Sequence, residues 1–170
     1  MLAAFRIAVA FLSLVAISCS GVRTPAPTSL PTKLPAPLES DTSLGALIQG
    51  RVAVLDLWAS WCPACTKSIP KLTKLKESYR DRGLVVAGIG VGEPADRARR
   101  LAIDKGINYP LFVDTDFSFA DGLAAREVPT ILLVDRDGRI IARARAVDQD
   151  LVELLERTLS QSPPSSLSSR

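Results

Sequence analysis

Apolar residues along the chain form short, nearly continuous runs that alternate with longer segments of helical periodicity. The runs lie at 52–58, 84–91 and 111–113. Apolar runs of this length, without strict alternation, are typical of strands that are buried on both faces, as in a parallel sheet. The sequence therefore predicts three buried strands that are connected by helical crossovers.

Segments with helical periodicity fill the gaps between these strands. The first begins at Pro63, because proline is favoured in the first turn of a helix, and ends at Gly83. Its apolar residues recur every three or four positions and share one face: Ile69, Leu72, Leu75 and Tyr79. The other predicted helices are 95–105, which Gly106 ends, a short helical turn within 117–125, and a last helix that begins near Asp150. We expect Glu93, which follows the second strand, to cap the helix after it.

Two further strands are predicted towards the end of this pattern. Residues 130–134 and 139–144 flank an Asp-Gly pair at 137–138, which supplies the positive φ angle that a tight hairpin turn requires. The order of elements is then β-α-β-α-β-(α)-β-β-α. Strands joined by helices pair in parallel and a hairpin pairs antiparallel, so the predicted fold class is α/β, with a mixed central β-sheet flanked by helices.

The two ends of the chain differ in composition from its middle. Residues 1–19 carry one charge before an eleven-residue apolar stretch, which is typical of a signal peptide and short for a membrane span. Residues 20–38 are rich in proline and predict an extended tether. Residues 160–170 are rich in serine and predict a disordered tail, so the folded domain is expected at 39–159.

Cys19 ends the signal-like segment, after Ala16, Ile17 and Ser18. This ending resembles the bacterial lipobox, in which a cysteine is lipidated after cleavage. A lipidated Cys19 would leave an even pair of cysteines in the rest of the chain. Ordinary cleavage near residue 18 or 20 and an uncleaved signal anchor are the alternatives, and all three place the domain outside the cytoplasm.

Length and charge narrow the class of protein. The chain has 170 residues, of which 47% are hydrophobic, and this suits one domain with a core of ordinary size. Its formal net charge of +3 is mild, and no basic stripe is interleaved with aromatic residues. The sequence therefore argues against nucleic-acid binding.

The most distinctive chemistry lies in Cys62 and Cys65, within the stretch Trp-Ala-Ser-Trp-Cys-Pro-Ala-Cys at 58–65. The first cysteine lies at a predicted helix start, where backbone N–H groups stabilise a thiolate, and the second is one turn away, within reach of a disulfide. This arrangement supplies an attacking and a resolving thiol for thiol–disulfide exchange. Half of a zinc site and a purely structural disulfide are the alternatives, although structural zinc needs four Cys or His ligands and the chain has three cysteines and no histidine.

Several segments together resemble the thioredoxin superfamily, and within it the exported, membrane-tethered branch of the TlpA and ResA type. The resemblance covers roughly residues 42–159. It is carried by the stretch 58–65, by Pro70, by Val-Pro-Thr at 128–130, by Val-Gly-Glu at 91–93 with Tyr-Pro-Leu at 109–111, and by the late hairpin at 133–138. It implies a thioredoxin fold with an αβ insertion before a cis-proline segment.

The resemblance also implies roles for the residues around the dithiol. Cys62 would be the nucleophile, and Cys65 would be the more buried thiol that resolves the mixed disulfide. Asp56 resembles the buried acid of thioredoxin that shuttles a proton for the resolving thiol, and we expect burial to raise its pKa. Thioredoxin carries a lysine near this acid, whereas the matching position here is Gly88. Ser68 stands where many relatives carry glutamate.

A second set of residues is implied to bind the substrate beside the dithiol. Pro129 is expected to follow a cis peptide bond, which lets the backbone of Val128 approach a substrate strand. The expected substrate-binding residues are Trp61, Pro63, Val128, Pro129 and Thr130.

The expected activity is thiol–disulfide exchange without a metal or an organic cofactor. Expected partners are exported proteins with disulfides, such as apocytochrome c, and a membrane thiol reductase as electron donor; the chain is expected to be a monomer. The residues between the cysteines bring no charge and no hydrogen-bonding side chain, which favours a reductant. A disulfide oxidase or isomerase of the same fold is one alternative, and a chaperone that binds Cu(I) through Cys62 and Cys65 is another.

Overall fold

A computed structural model gives the fold of residues 28–125 and 127–161. The predicted signal segment with Cys19 and the tail after residue 161 lie outside these ranges, so the expectations for them stay predictions. Among residues 28–125 and 127–161, no helix combines the length and hydrophobicity that a membrane span requires.

Strands and helices alternate along most of the chain, as predicted. The strands are β1 Thr28–Ser29, β2 Ala36–Pro37, β3 Ala53–Trp58, β4 Val85–Val91, β5 Leu111–Asp114, β6 Thr130–Val134 and β7 Arg139–Ala144. The helices are α1 Leu44–Ile48, α2 Pro63–Tyr79, α3 Ala95–Lys105, α4 Ser118–Gly122 and α5 Gln149–Ser160, with a 3₁₀ turn at Arg80–Arg82 after α2.

The strands form one mixed sheet in the order β1-β7-β6-β3-β4-β5-β2. β3 pairs with β4 and β4 with β5 in parallel, whereas β6 is antiparallel to both β3 and β7. This confirms the predicted mixed sheet. The register places Asp56 opposite Gly88 and Trp58 opposite Gly90.

The central sheet divides the core in two. Alternate residues of β3 point to opposite faces. Ala53, Leu55 and Leu57 pack in one buried cluster with residues of α1 and α4, and this side is called the apolar face. Val54 and Trp58 pack in another cluster with both cysteines and with residues of α2, α3 and α5. This second side is called the dithiol face, and the alternation places Asp56 on it.

The N-terminal segment differs most from the prediction. Residues 28–38 fall in the predicted tether, yet β1 pairs with β7 and β2 with β5, so this segment covers both edges of the sheet. Leu30 and Leu34 pack against the cluster of the apolar face, and Leu38 is buried. The boundary at 39 is therefore wrong, because leucines spaced four residues apart anchor a proline-rich segment whose overall composition hides them.

Two helix starts also differ from the prediction. α1 is missing from the predicted order because five residues are too short to show a helical period; the Ser43 side chain caps it by accepting a hydrogen bond from the Ala46 N–H at 3.2 Å. α5 begins at Gln149, after the N-cap Asp148, slightly before the predicted start. Neither difference moves an element that carries the site.

Candidate active site

The two cysteines lie at the junction of β3 and α2, as predicted. Cys62 is the N-cap of α2 and Pro63 occupies its first turn. The Cα atoms of Cys62 and Cys65 are 5.3 Å apart, and their sulfurs are joined in a disulfide. Sγ of Cys62 also accepts a hydrogen bond from the Cys65 N–H at 3.2 Å. The same donor is placed to stabilise a Cys62 thiolate when the disulfide opens.

Asp56 is a buried carboxyl group on the dithiol face. It is 1% exposed, and neither of its oxygens has a hydrogen-bond partner among the described residues. Burial raises the pKa of Asp56 to about 7, because nothing replaces the water that the charged form loses. The predicted rise in the pKa is confirmed. A carboxyl group that titrates near neutral pH can accept and return a proton there.

Gly88 keeps a positive charge away from Asp56. A Cβ atom at this position would lie 2.6 Å from Cδ2 of Leu111 and 3.1 Å from Nε1 of Trp58, so a lysine would have to displace these packed side chains. Tyr109 packs against Gly88 instead. Burial, and secondarily the charge of Asp56, raises the pKa of Tyr109, which therefore stays a neutral phenol. Desolvation thus sets the pKa of Asp56 without a compensating cation.

Glu93 holds the turn that carries the first cysteine. Its Oε1 accepts a hydrogen bond from the Ser60 N–H at 2.7 Å, and the residue is 1% exposed. The prediction that Glu93 caps α3 is wrong, since the N-cap is Pro94 and the Glu93 carboxylate bonds to Ser60 instead. The Glu93 side chain turns inward because Gly90 leaves space over β4: a Cβ on Gly90 would lie 3.1 Å from that of Glu93.

Sequence reasoning missed this link because the two residues are 33 positions apart. The available signal is the pair of glycines at alternate positions of β4, Gly88 and Gly90, which face the side chains of Asp56 and Trp58 in register. Glycine at two successive inward positions of a buried strand indicates that larger groups pack across it.

Unpartnered polar atoms gather on the dithiol face. Among the described residues, four buried side-chain atoms lack a hydrogen-bond partner: both carboxylate oxygens of Asp56, Nε1 of Trp58 and Oε2 of Glu93. Leaving a buried polar atom unpaired costs about 1–3 kcal/mol, so such atoms are uncommon in a stable core. Their concentration beside Cys62 and Cys65 indicates a region arranged for chemistry rather than for stability.

The predicted substrate-binding residues divide into two groups. Trp61 and Val128 line one cleft of about 600 Å³ beside the dithiol, and Trp61 is 70% exposed. The Val128–Pro129 peptide bond is cis, as predicted. Pro129 is buried, and the Thr130 hydroxyl donates a hydrogen bond to the Glu127 carbonyl, so these two residues support the loop rather than line the cleft.

Pro63 and Ser68 are the remaining predicted positions beside the dithiol. Pro63 is exposed at the start of α2, outside the cleft walls. Ser68 is buried, and its hydroxyl donates a hydrogen bond to the Cys65 carbonyl at 2.8 Å within α2. Ser68 therefore supports the helix, and Asp56 is the acid that faces the core cluster containing Cys65.

Curated relatives of this chain include thiol-disulfide oxidoreductases named ResA. The protein of Halalkalibacterium halodurans is 26% identical over 94 residues, which are 55% of this chain and 53% of that protein. The ResA of Bacillus subtilis is 24% identical over 94 residues, 55% of this chain and 52% of that protein. The chain thus spans about half the length of these curated relatives.

Solved structures share the fold. A secreted thiol-disulfide isomerase of Corynebacterium glutamicum superposes with a TM-score of 0.72 at 22% identity, over 86% of this chain and 96% of that chain. The thioredoxin domain of a thiol-disulfide oxidoreductase from Bacteroides vulgatus gives a TM-score of 0.68 at 21% identity, over 78% and 96%. The predicted thioredoxin fold is confirmed. The Redoxin family matches residues 22–157, a range that includes both cysteines, Asp56 and the cis-proline, and the chain belongs to that family.

Proposed function

We propose that this protein is a thiol–disulfide oxidoreductase that reduces disulfides in exported proteins through Cys62 and Cys65. The observation that carries the proposal is the cysteine pair at the N-terminus of α2, with Sγ of Cys62 hydrogen-bonded to the Cys65 N–H. The names of the ResA relatives support the same chemistry.

The first step uses the thiolate of Cys62 in the reduced protein. The thiolate attacks one sulfur of the substrate disulfide, so a bond forms to Sγ of Cys62 while the substrate S–S bond breaks. The other substrate sulfur leaves as a thiolate and takes a proton from solvent. The Cys65 N–H stabilises the thiolate, which raises the fraction of Cys62 that is ionised and able to attack at neutral pH.

The second step uses Cys65 and Asp56. The ionised Asp56 takes the thiol proton of Cys65, whose sulfur then attacks Sγ of Cys62. The Cys62–Cys65 bond forms, the bond to the substrate breaks, and the leaving substrate thiolate receives the proton. A pKa of about 7 suits Asp56 to both transfers. In total two electrons and two protons pass to the substrate, and an external dithiol reductant must restore the protein.

The proposed partners follow from this balance. The substrates are exported proteins with cysteines, of which oxidised apocytochrome c is one candidate, and the electron donor is a thiol reductase in the membrane. We place the domain outside the cytoplasm, held by a lipid on Cys19. The apolar stretch before Cys19 and the small residues next to it support this location. Mass spectrometry of the N-terminal peptide from isolated membranes tests for the lipid.

Cysteine variants test the chemistry. Cys62→Ser is expected to lose exchange with a disulfide-linked peptide entirely, because it removes the attacking sulfur. Cys65→Ser is expected to accumulate a mixed disulfide between Cys62 and the peptide, visible as an adduct mass. Cys19→Ser is the matched control, since it removes the third cysteine and should leave the exchange rate unchanged. Exchange by Cys62→Ser, or no adduct on Cys65→Ser, would refute the proposal.

The reduction potential tests the direction of electron flow. Equilibration of the full chain with thiol buffers, followed by trapping and mass spectrometry, gives the ratio of oxidised to reduced protein. A value near about −270 mV, the thioredoxin end of the scale, is expected for a reductant. A value near about −120 mV would instead identify a disulfide donor.

A further inference from the structure

Two exposed aromatic side chains line the same cleft beside the dithiol. Among the described residues, the exposed large hydrophobic side chains are Trp61, Phe117 and Ile103. Trp61 and Phe117, at 70% and 51% exposure, line the same cleft of about 600 Å³, together with Val91 and Val128. Exposed apolar side chains that cluster in this way mark binding surfaces more often than scattered ones do.

Phe117 occupies a position that local structure disfavours for phenylalanine. It is the N-cap of α4 with φ 61° and ψ 4°, in the left-handed region that bulky residues rarely adopt. Helix N-caps favour Ser, Thr, Asp or Asn, and Phe117 makes no capping hydrogen bond. Such conflicts between residue and backbone concentrate at functional sites.

The carboxylate of Asp114 caps the start of α4, so the residue at position 117 does not have to. Its Oδ1 accepts a hydrogen bond from the Phe119 N–H at 3.1 Å, and its Oδ2 accepts one from the Ala120 N–H at 2.9 Å. The start of α4 is therefore satisfied from β5. The Phe117 side chain is therefore free to line the cleft.

Gly92 supports the Phe117 ring from below. A Cβ atom on Gly92 would lie 2.3 Å from Cζ of Phe117, so the ring rests directly on the backbone of residue 92. Gly92 itself has φ 65°, a conformation that also suits glycine. The Cζ end of the ring is thus held against the backbone, while the residue stays 51% exposed. A wall that is fixed in advance loses little conformational entropy when it binds.

The charges around the cleft disfavour an acidic occupant. Glu127 and Arg145, which both line it, form an ion pair and balance each other. Asp121 adds one carboxylate at the α4 side and makes no ion pair among the described residues. The walls that remain are aromatic and aliphatic, so a large apolar side chain fits them better than an acidic one.

We propose that Trp61 and Phe117 form a specificity cleft for a large apolar side chain next to the reactive half-cystine, on an extended segment of the disulfide-bonded substrate. Trp61 directly precedes Cys62. Residues in an extended segment are about 3.3 Å apart, so a side chain one or two positions from a half-cystine joined to Cys62 lies within reach of this wall. The inference rests on the proposed function, since it assigns the sequence around the disulfide that the protein reduces.

Two matched peptides test the cleft. Both are disulfide-linked dimers of equal length and charge, with leucine on each side of the cysteine in one and serine in the other. The second-order rate constant for reduction by the reduced full chain is measured for each peptide. The wild type is expected to prefer the leucine peptide by about tenfold, the effect of burying roughly half of a leucine side chain.

Variants at position 117 test whether Phe117 provides the preference for the leucine peptide. Phe117→Ala is expected to reduce the ratio to about twofold, whereas Phe117→Leu keeps an apolar wall and most of the ratio. Ile103→Ala, on an exposed residue of α3 outside the cleft, is the control and should keep the full ratio. A ratio of one in the wild type, or an unchanged ratio in Phe117→Ala, would overturn the inference while leaving the proposed function intact. Failure of the wild type to reduce either peptide would overturn both.

Discussion

The two faces of the central sheet differ in how their buried carboxyl groups are hydrogen-bonded. On the apolar face, both oxygens of Asp114 accept hydrogen bonds from backbone N–H groups of α4. On the dithiol face, Asp56 has no partner among the described residues and Glu93 has one. Asp114 therefore fixes the start of a helix. Asp56, which has no hydrogen-bond partner, can instead bind and release a proton near neutral pH.

The contrast shows where this fold can tolerate unpaired polar groups. The apolar face consists of closely packed aliphatic and aromatic side chains, whose burial stabilises the domain. The dithiol face has an equally buried core, but with the unpaired atoms of Asp56, Trp58 and Glu93 inside it. The packing of the apolar face thus supplies stability that offsets the cost of the unpaired polar atoms on the dithiol face.

The largest expected effect is on the pH dependence of stability, through Asp56→Asn. The pKa of Asp56 is about 7 in the folded protein and about 3.9 in an unfolded chain. Between these values the folded protein binds more protons, so its free energy of unfolding falls as the pH rises, by about 4 kcal/mol over this window. Above the folded pKa the loss is complete. The variant should lack this fall, and denaturant unfolding of the oxidised protein from pH 4 to pH 8 measures it.

Asp114→Asn is the matched control on the other face. It replaces a carboxylate that accepts backbone hydrogen bonds, so it should lower the free energy of unfolding at pH 8 by about 1–3 kcal/mol. Asp56→Asn should instead gain stability relative to the wild type between pH 4 and pH 8. Parallel curves for Asp56→Asn and the wild type across that range would show that the Asp56 pKa is not raised.

A second prediction separates stability from chemistry with Leu55→Ala. Leu55 is fully buried on the apolar face, so its truncation should lower the free energy of unfolding by about 3 kcal/mol. The reduction potential of the Cys62–Cys65 pair should stay unchanged, because the oxidised and reduced proteins lose the same contacts. A shift of more than about 30 mV, a tenfold change in the exchange equilibrium, would show that the two faces are coupled.

The smallest expected effect concerns the turn that presents Cys62. Glu93→Ala removes the acceptor of the Ser60 N–H, which should raise the exchange rate of that amide with deuterium and slow the attack of Cys62 about fivefold. Glu93→Gln retains an acceptor oxygen at the same reach and should keep the protection of the amide. Loss of protection in Glu93→Gln as well would instead assign the effect to the charge of Glu93.

The elements that the sequence predicts are those whose signal is local. β3, β4 and α2 follow from continuous apolar runs and a proline at a helix start, and the dithiol follows from the spacing of two cysteines. The raised pKa of Asp56 follows from a polar residue inside a buried strand. These features depend on neighbours within a few positions along the chain.

The features that escape prediction depend on contacts between distant segments. The pairing of β1 with β7 joins the two ends of the domain, and two-residue strands have no period to detect. The hydrogen bond between Glu93 and Ser60 exists only after β3 and β4 have come together, and the contact of Phe117 with Gly92 only after β4 and β5 have. The sequence around either residue of such a contact looks like that of an ordinary loop.

The strands at both ends of the sheet order have a consequence for how the molecule behaves in a crowded solution. β1 and β2 each contain two residues, and they cover the outer sides of β7 and β5. A sheet whose outermost strands are this short offers little template for pairing with another chain. A shortened protein that begins at residue 39 would expose the backbone of Phe112 and Val113, which β2 otherwise pairs. Such a fragment would be prone to self-association through its sheet edges, whereas one that retains the segment from Thr28 onward would keep these pairings.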